Sequence, residues 1–348
     1  MQITMIDFSI AFDGSSPDER ALGGAEKAFA RLAAALAGRG HTVAAINRCA
    51  DQIRLDDVDW LPWDSPRPPE TDVLIAFRRP MLLHEVDEAA HRTLWLWDGP
   101  KLLDRPEHKR VIERQRPTLV FTGNAHRDAL NSWRDLRQAV IVPGVDRAYT
   151  DAAEDEIGIP NPVAVLTTHP LHGLTEIVRL WSQRIHPGRP EARLHIYSAG
   201  LWHGMEGGEV DAKLQPAMDA VRAAVDDGVE VRPPLADPGM AAVYRRASAH
   251  LYPVIRGEMY GSTLAESQAA GTPAVVHTSA GASRALSERV RNGQTGYMAP
   301  DDDAFVNLTL GLLEPDSAMY QSLGREARAT QGARGWDQAA IEFEALWK

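Results

Sequence analysis

Two adjoining stretches decide the architecture: QITMIDFSI at 2–10 and GGAEKAFARLAAALAGRGHTVAAINR at 23–48. The first is apolar and β-branched, which predicts a buried strand. In the second, apolar residues recur at helical spacing until Gly38 and Gly40, after which HTVAAINR begins another strand. Strand, glycine-opened helix and strand form a βαβ unit, which requires a parallel sheet and a right-handed crossover. Further apolar runs extend that sheet: DVLIAF (72–77), RTLWLWD (92–98), TLVFTG (118–123) and QAVIVPG (138–144).

The stretch 145–162, VDRAYTDAAEDEIGIPNP, is acidic and lacks a sustained apolar period, which predicts an inter-domain linker. A second alternation follows. Its strands are VAVLTTH (163–169), RLHIYSAG (193–200), VEVRPPL (229–235), AHLYPVI (249–255) and PAVVHT (273–278), with helical segments between several of them. Two such sets predict an α/β protein of two Rossmann-like, doubly wound parallel-sheet domains facing each other across a cleft. The expected boundaries are 1–148, a linker at 149–162, 163–330, and a terminal segment at 331–348. A length of 348 residues agrees with two domains.

Charge narrows the function. The net charge of -11 argues against a nucleic-acid-binding surface, which would carry a basic excess. A phosphorylated ligand would have to be held by local donors. The single cysteine, Cys49, excludes an internal disulfide and offers no cysteine cluster for zinc. The N-terminus has no basic leader and no apolar run is long enough for a bilayer, so a cytoplasmic protein is expected. Any membrane contact would be peripheral, at the inner face; the basic run 101–117 (KLLDRPEHKRVIERQRP) could contact an anionic lipid or a glycan acceptor, but a solvated helix face is the better reading of it.

The candidate site is RGEMYGSTLAESQAAGTP, 256–273, where a strand runs in and a helix runs out. Gly261 permits an unusual turn, and Ser262 or Thr263 is placed to cap the helix. The free N–H groups of a first turn bind phosphate without a side-chain charge. Glu258 and Glu266 flank that turn and would reach hydroxyls on either side of the phosphate. The plainer reading is a capping box from Thr263 to Glu266, with Glu266 serving only a backbone N–H. Gly23 and Gly24 open a helix at the carboxyl end of the first strand, the usual ligand edge of an open α/β sheet, and this helix end is expected to bind the donor diphosphate from the opposing side. They do not form a G-x-G-x-x-G fingerprint, which weighs against a nicotinamide-dependent oxidoreductase.

In order along the chain, GGAEKAFARLAAALAGRGHTV, VPGVD (142–146), the glutamate-x7-glutamate pair Glu258 and Glu266, and AESQAAGTPAVV with NGQTGYMAPDDD resemble family 4 glycosyltransferases. The resemblance implies a GT-B fold, a nucleotide-diphosphate-sugar donor bound by the second domain, an acceptor bound by the first, and transfer with retention. The acceptor would be a glycan, a lipid-linked sugar or a small molecule. It also implies that Glu258 contacts the donor sugar, that Glu266 contacts the ribose, and that backbone groups from Tyr260 through Gly261, Ser262 and Thr263 to Leu264 face the phosphates. Neither a cofactor nor a metal is implied, and PDDDAF (300–305) reads as a loop and helix cap. WDQAAIEFEALWK (336–348) resembles the terminal helix that crosses back onto the first domain.

Two positions depart from the family. Where relatives carry Arg and Lys after the first strand of the second domain, this chain reads TTHPLHGLTE (167–176), offering His169 and His172. Arg256, or Arg78 and Arg79 of the first domain, would restore a cation. Where relatives carry a His-containing turn, this chain has Trp97 and Asp98. Asp98 either orients an acceptor hydroxyl or serves as a turn residue before Gly99. The lost cations motivate an alternative, a non-catalytic protein of the same fold that binds a sugar nucleotide or glycan.

Overall fold

A computed structural model describes residues 1–151, 161–253, 257–278 and 284–348. The chain divides into two compact units, Met1–Asp146 with Arg334–Lys348, and Arg147–Ala333.

The first unit is built on an eight-stranded sheet comprising β1 (Gln2–Ile6), β2 (Thr42–Asn47), β3 (Ile53–Leu55), β4 (Val58–Pro62), β5 (Glu70–Phe77), β6 (Glu88–Trp95), β7 (Thr118–Phe121) and β8 (Gln138–Val140). Their order is β3-β4-β2-β1-β5-β6-β7-β8, and only β3 runs antiparallel to its neighbour. The near-continuous apolar runs follow from burial on both faces. On β5, Val73, Ile75 and Phe77 join one core layer while Leu74 and Ala76 join the other. The first layer lies under the helix Gly24–Gly38 and the C-terminal helix Trp336–Glu344, whose Ala339, Ala340 and Phe343 are buried there. The antiparallel pair β3 and β4 was not expected. Its strands are short and incompletely buried, with Trp60 of β4 anchoring them in the core.

The second unit has six parallel strands, β9 (Asn161–Leu166), β10 (Arg193–Tyr197), β11 (Val229–Arg232), β12 (Ala247–Tyr252), β13 (Ala274–His277) and β14 (Gly296–Ala299). The order β11-β10-β9-β12-β13-β14 is doubly wound, so the chain reverses direction across the sheet between β9 and β12. In such a sheet, ligands bind at the carboxyl ends of the two strands beside that reversal. The loops leaving β9 and β12 carry His169, His172 and Glu258.

The expected linker differs from what is seen. Its first residues form the helix Arg147–Thr150, which belongs to the second unit through buried Tyr149, whose hydroxyl donates to Asp237 Oδ1 at 2.7 Å. Its last two residues, Asn161 and Pro162, begin β9, and 152–160 lie outside the described residues. No helix among the described residues is long and apolar enough to cross a membrane.

Candidate functional site

The turn after β12 is organised by Glu258. Its Oε1 accepts from the N–H groups of Met259, Tyr260 and Gly261, each at 3.0 Å. Its Oε2 accepts from the hydroxyl of buried Tyr252, at 3.3 Å. One carboxylate thus folds three successive amides around itself.

Gly261 then begins the helix Ser262–Ala269 as its N-cap, with φ +75° and ψ +57°. That left-handed conformation favours glycine. The expectation that Ser262 or Thr263 caps the helix is corrected: they are its first two residues, and the N-cap is Gly261, which has no side chain to cap with. A capping box from Thr263 is therefore not formed. The Leu264 and Ala265 amides donate back to the Gly261 carbonyl at 3.1 and 3.2 Å. Among the described residues, the Ser262 and Thr263 amides have no acceptor. Of the five backbone positions expected to face a phosphate, these two carry uncommitted donors, and the helix dipole adds to them.

Glu266 lies one turn further on and is buried. Burial first, and then the Glu266 carboxylate, hold the Tyr149 and Tyr244 phenols well above their ordinary range. Tyr260 is buried beneath the guanidinium of Arg289, 4.9 Å from its ring centroid, and Leu264 is in the core. Arg256 lies outside the described residues.

His169 and His172 are both exposed, with ring centroids 5.5 Å apart. His169 Nδ1 accepts from the Leu171 amide at 3.3 Å, leaving Nε2 to carry the proton of the neutral ring. Partial burial, then the neighbouring His172, lower the His169 pKa below the usual imidazole value.

Beneath this surface is a residue that sequence reasoning passed over. His250 shares a face of β12 with Tyr252 and is fully buried under the helix Ser262–Ala269. Its Nε2 lies 3.0 Å from Thr167 Oγ1, at the end of β9, and its Nδ1 lies 2.8 Å from Ser267 Oγ, in the helix. The proton directions follow from the ends of the chain. Ser267 donates its hydroxyl to the Leu264 carbonyl, so it accepts from His250 Nδ1–H, and Nε2 accepts from Thr167. Burial pushes the pKa down to about 3, so the ring stays neutral and ties both sides of the topological reversal together. Its only sequence signal was a polar residue within an apolar strand.

In the first unit, Gly23 is the extended N-cap of Gly24–Gly38. A Cβ at Gly23 would come within 2.5 Å of Glu26 Oε2, so the carboxylate folds back over this helix end. Glu26 pairs in turn with Arg78 at 3.0 Å, and Arg78 lies 3.7 Å from buried Asp7. Burial raises the Asp7 pKa despite its bonds from Ser9 and the nearby Arg78. Arg78 is consumed by these two carboxylates. Asp98 is exposed, and its carbonyl accepts from Nε2 of buried His126 at 3.0 Å. The Thr122 amide donates to His126 Nδ1, fixing that tautomer, and burial pushes the His126 pKa down to about 4. His126 was also missed, because it meets Asp98 only through the packing of β7 beside β6.

The aspartates of 301–303 serve the protein itself. Asp301 caps the helix Asp302–Leu312 through the Ala304 amide, Asp302 pairs with His277 and Arg179, and Asp303 pairs with Arg184.

Two parallel-sheet α/β units, the second wound about a reversal that carries the candidate site, define the GT-B fold. Solved structures agree in fold: a sucrose-phosphate synthase from Thermosynechococcus elongatus superimposes with a TM-score of 0.73 at 16% identity, covering 99% of this chain and 98% of its own. Anabaena HepE, solved with UDP and glucose, gives 0.72 at 15% identity, with 99% of both chains covered. Residues 163–315 match the family described as glycosyl transferases group 1. A curated D-inositol 3-phosphate glycosyltransferase from Kribbella flavida is 28% identical over 300 residues, which is 82% of this chain. The alignment spans 61% of that relative's length.

Proposed function

We propose that the protein is a retaining glycosyltransferase that moves a sugar from a nucleotide-diphosphate donor to a hydroxyl-bearing acceptor, without a metal or cofactor. The observation that carries this reading is the pair of uncommitted amides at Ser262 and Thr263, at the reversal point of the second sheet and between Glu258 and Glu266. The match of 163–315 to a glycosyl transferase family and the likeness to a protein holding UDP and glucose support it.

In glycosyl transfer the bond from the anomeric carbon to the diphosphate breaks through an oxocarbenium-like centre. Negative charge grows on the leaving diphosphate, so preorganised donors aimed there are the main source of rate. The helix Ser262–Ala269 would supply them, while Glu258 orients the sugar and Glu266 the ribose. The acceptor oxygen bonds to the anomeric carbon on the face the diphosphate leaves, and its proton passes to a diphosphate oxygen. No protein nucleophile is then needed.

A thermal-shift screen over uridine, guanosine and adenosine diphosphate sugars tests the donor, followed by turnover with candidate acceptors. A clear shift with one base is expected, and no shift with any of them would refute the reading. The three amides already held by Glu258 favour one alternative, a binding protein of the same fold. Donor binding with no turnover across acceptors would establish that alternative.

The histidines predict a pH dependence. In the free protein the His169 pKa lies below the ordinary value of about 6.5. A bound diphosphate favours the protonated ring and raises that pKa. Donor affinity should therefore strengthen as pH falls through the raised pKa of the complex and level off below the free-protein pKa, which lies under about 6.5. Isothermal titration between pH 5 and 8 checks this, and a flat profile would leave the phosphate to the backbone alone.

A further inference from the structure

Four neighbouring strands of the first sheet, in the order β4-β2-β1-β5, release their chains at one edge with an unusual set of side chains. Phe8 follows β1, Arg48 follows β2, Trp63 follows β4 and Arg79 follows β5. The Phe8 and Trp63 rings are half-buried and in contact, with centroids 4.5 Å apart and planes inclined at 55°. Arg67 covers the Trp63 ring at 4.4 Å and is held by Glu85 and by the carbonyls of Trp63 and Ser65. Arg48 lies 5.6 Å from the Phe8 ring centroid, with one N–H on the Ser9 carbonyl.

Arg79 differs from these. It is exposed, lies 6.0 Å from the Phe8 centroid, and among the described residues its guanidinium has neither a hydrogen bond nor an ion pair. Its orientation has a backbone cause. Arg78 has φ +63°, a left-handed conformation that costs a non-glycine residue energy. That turn aims Arg78 at Glu26 and Asp7 while Arg79 lies over Phe8. Such strain collects at ligand sites. In a chain of net charge -11, two guanidiniums beside an aromatic pair on the ligand edge of a sheet make a local exception.

We infer that Phe8, Trp63, Arg48 and Arg79 form a subsite for a polyol or sugar ring bearing an anionic group, a phosphate or a carboxylate. The rings supply an apolar platform for the C–H face of the polyol, and the guanidinium fork of Arg79 matches a planar or tetrahedral oxyanion. Naming this ligand the acceptor rests on the glycosyltransferase reading. The binding itself does not.

The test is isothermal titration of the full chain at low ionic strength with four probes: inositol 3-phosphate, glucuronate, uncharged myo-inositol and inorganic phosphate. A ring anion should bind, myo-inositol should not bind at the same concentrations, and inorganic phosphate should bind more weakly than the ring phosphate. Arg79→Ala should weaken the ring anion about tenfold, as expected on loss of a charge-assisted hydrogen bond. Arg79→Glu should abolish binding. In both variants the thermal shift given by the nucleotide sugar should remain that of wild type. Whichever anion binds identifies the ligand as phosphate- or carboxylate-bearing. Equal binding of myo-inositol, inorganic phosphate as tight as the ring phosphate, or an Arg79→Ala variant with unchanged affinity would each overturn the subsite. A reduced donor shift in Arg79→Ala would overturn it too, by moving that cation to the donor. Loss of ring-anion binding with the donor shift intact leaves the proposed transfer standing, and the reverse pattern sinks only the donor.

Discussion

Glu258→Ala is expected to lower kcat/KM for the donor by about 100- to 1000-fold, the range seen when a preorganised polar group is removed from an active site. The expectation comes from geometry, because this one carboxylate holds the Met259, Tyr260 and Gly261 amides at 3.0 Å and receives the Tyr252 hydroxyl. Removing it releases the turn that sets Gly261 as the helix cap. Glu258→Gln separates charge from shape. The amide oxygen can still accept from the three N–H groups, but hydrogen bonds to an ionised acceptor are roughly twice as strong as neutral ones. A loss of about tenfold is expected for Gln, with the melting temperature close to wild type. Steady-state kinetics and thermal unfolding without donor are the two measurements. Wild-type kinetics in the alanine variant would reduce Glu258 to a loop residue. A fall in melting temperature with the donor-induced shift preserved would make its role structural alone.

The alternation of strands and helices was legible because parallel strands covered on both faces read as continuous apolar runs. DVLIAF and AHLYPVI announce themselves. The exceptions are physical. Ile53–Leu55 and Val58–Pro62 are short strands carrying Arg54, Asp57 and Asp59 at or beside them, and they form on the anchorage of Trp60, which a local window does not weigh. At the site, Gly261 was correctly read as a turn. Its role as N-cap was not legible, because serine and threonine are the stronger local candidates and the choice was made by Glu258 gathering the preceding amides. His126 and His250 were missed for a related reason. Each is a buried imidazole whose partner or partners include a group on another strand or loop, Asp98 for one and Thr167 for the other, and no spacing along the chain encodes that meeting.

The backbone's part in holding the diphosphate can be isolated with Ser262→Pro. Proline is tolerated at the first position of a helix, where its missing N–H leaves no intrahelical bond broken. Here the Ser262 amide has no acceptor among the described residues. The residue before a proline is normally driven out of the α region by clashes with its N–H and Cβ. Gly261 lacks the Cβ, which removes half of that conflict at φ +75°. The substitution therefore deletes one donor aimed at the proposed phosphate and adds no charge. A hydrogen bond to a charged partner contributes about 1.5–3 kcal/mol, so donor affinity should weaken by roughly 10- to 150-fold. Ser262→Ala, which keeps the N–H, should stay within about twofold of wild type. Titration with the nucleotide sugar measures both, and circular dichroism with thermal unfolding shows whether the helix survives. If the proline variant is folded and binds donor as wild type does, the amides of this helix end do not hold the phosphate, and catalysis would have to rest on side-chain cations. If the alanine variant is as weak as the proline variant, the hydroxyl rather than the backbone makes the contact. Only a proline-specific loss assigns the leaving group to the dipole and free N–H groups of the Ser262–Ala269 helix.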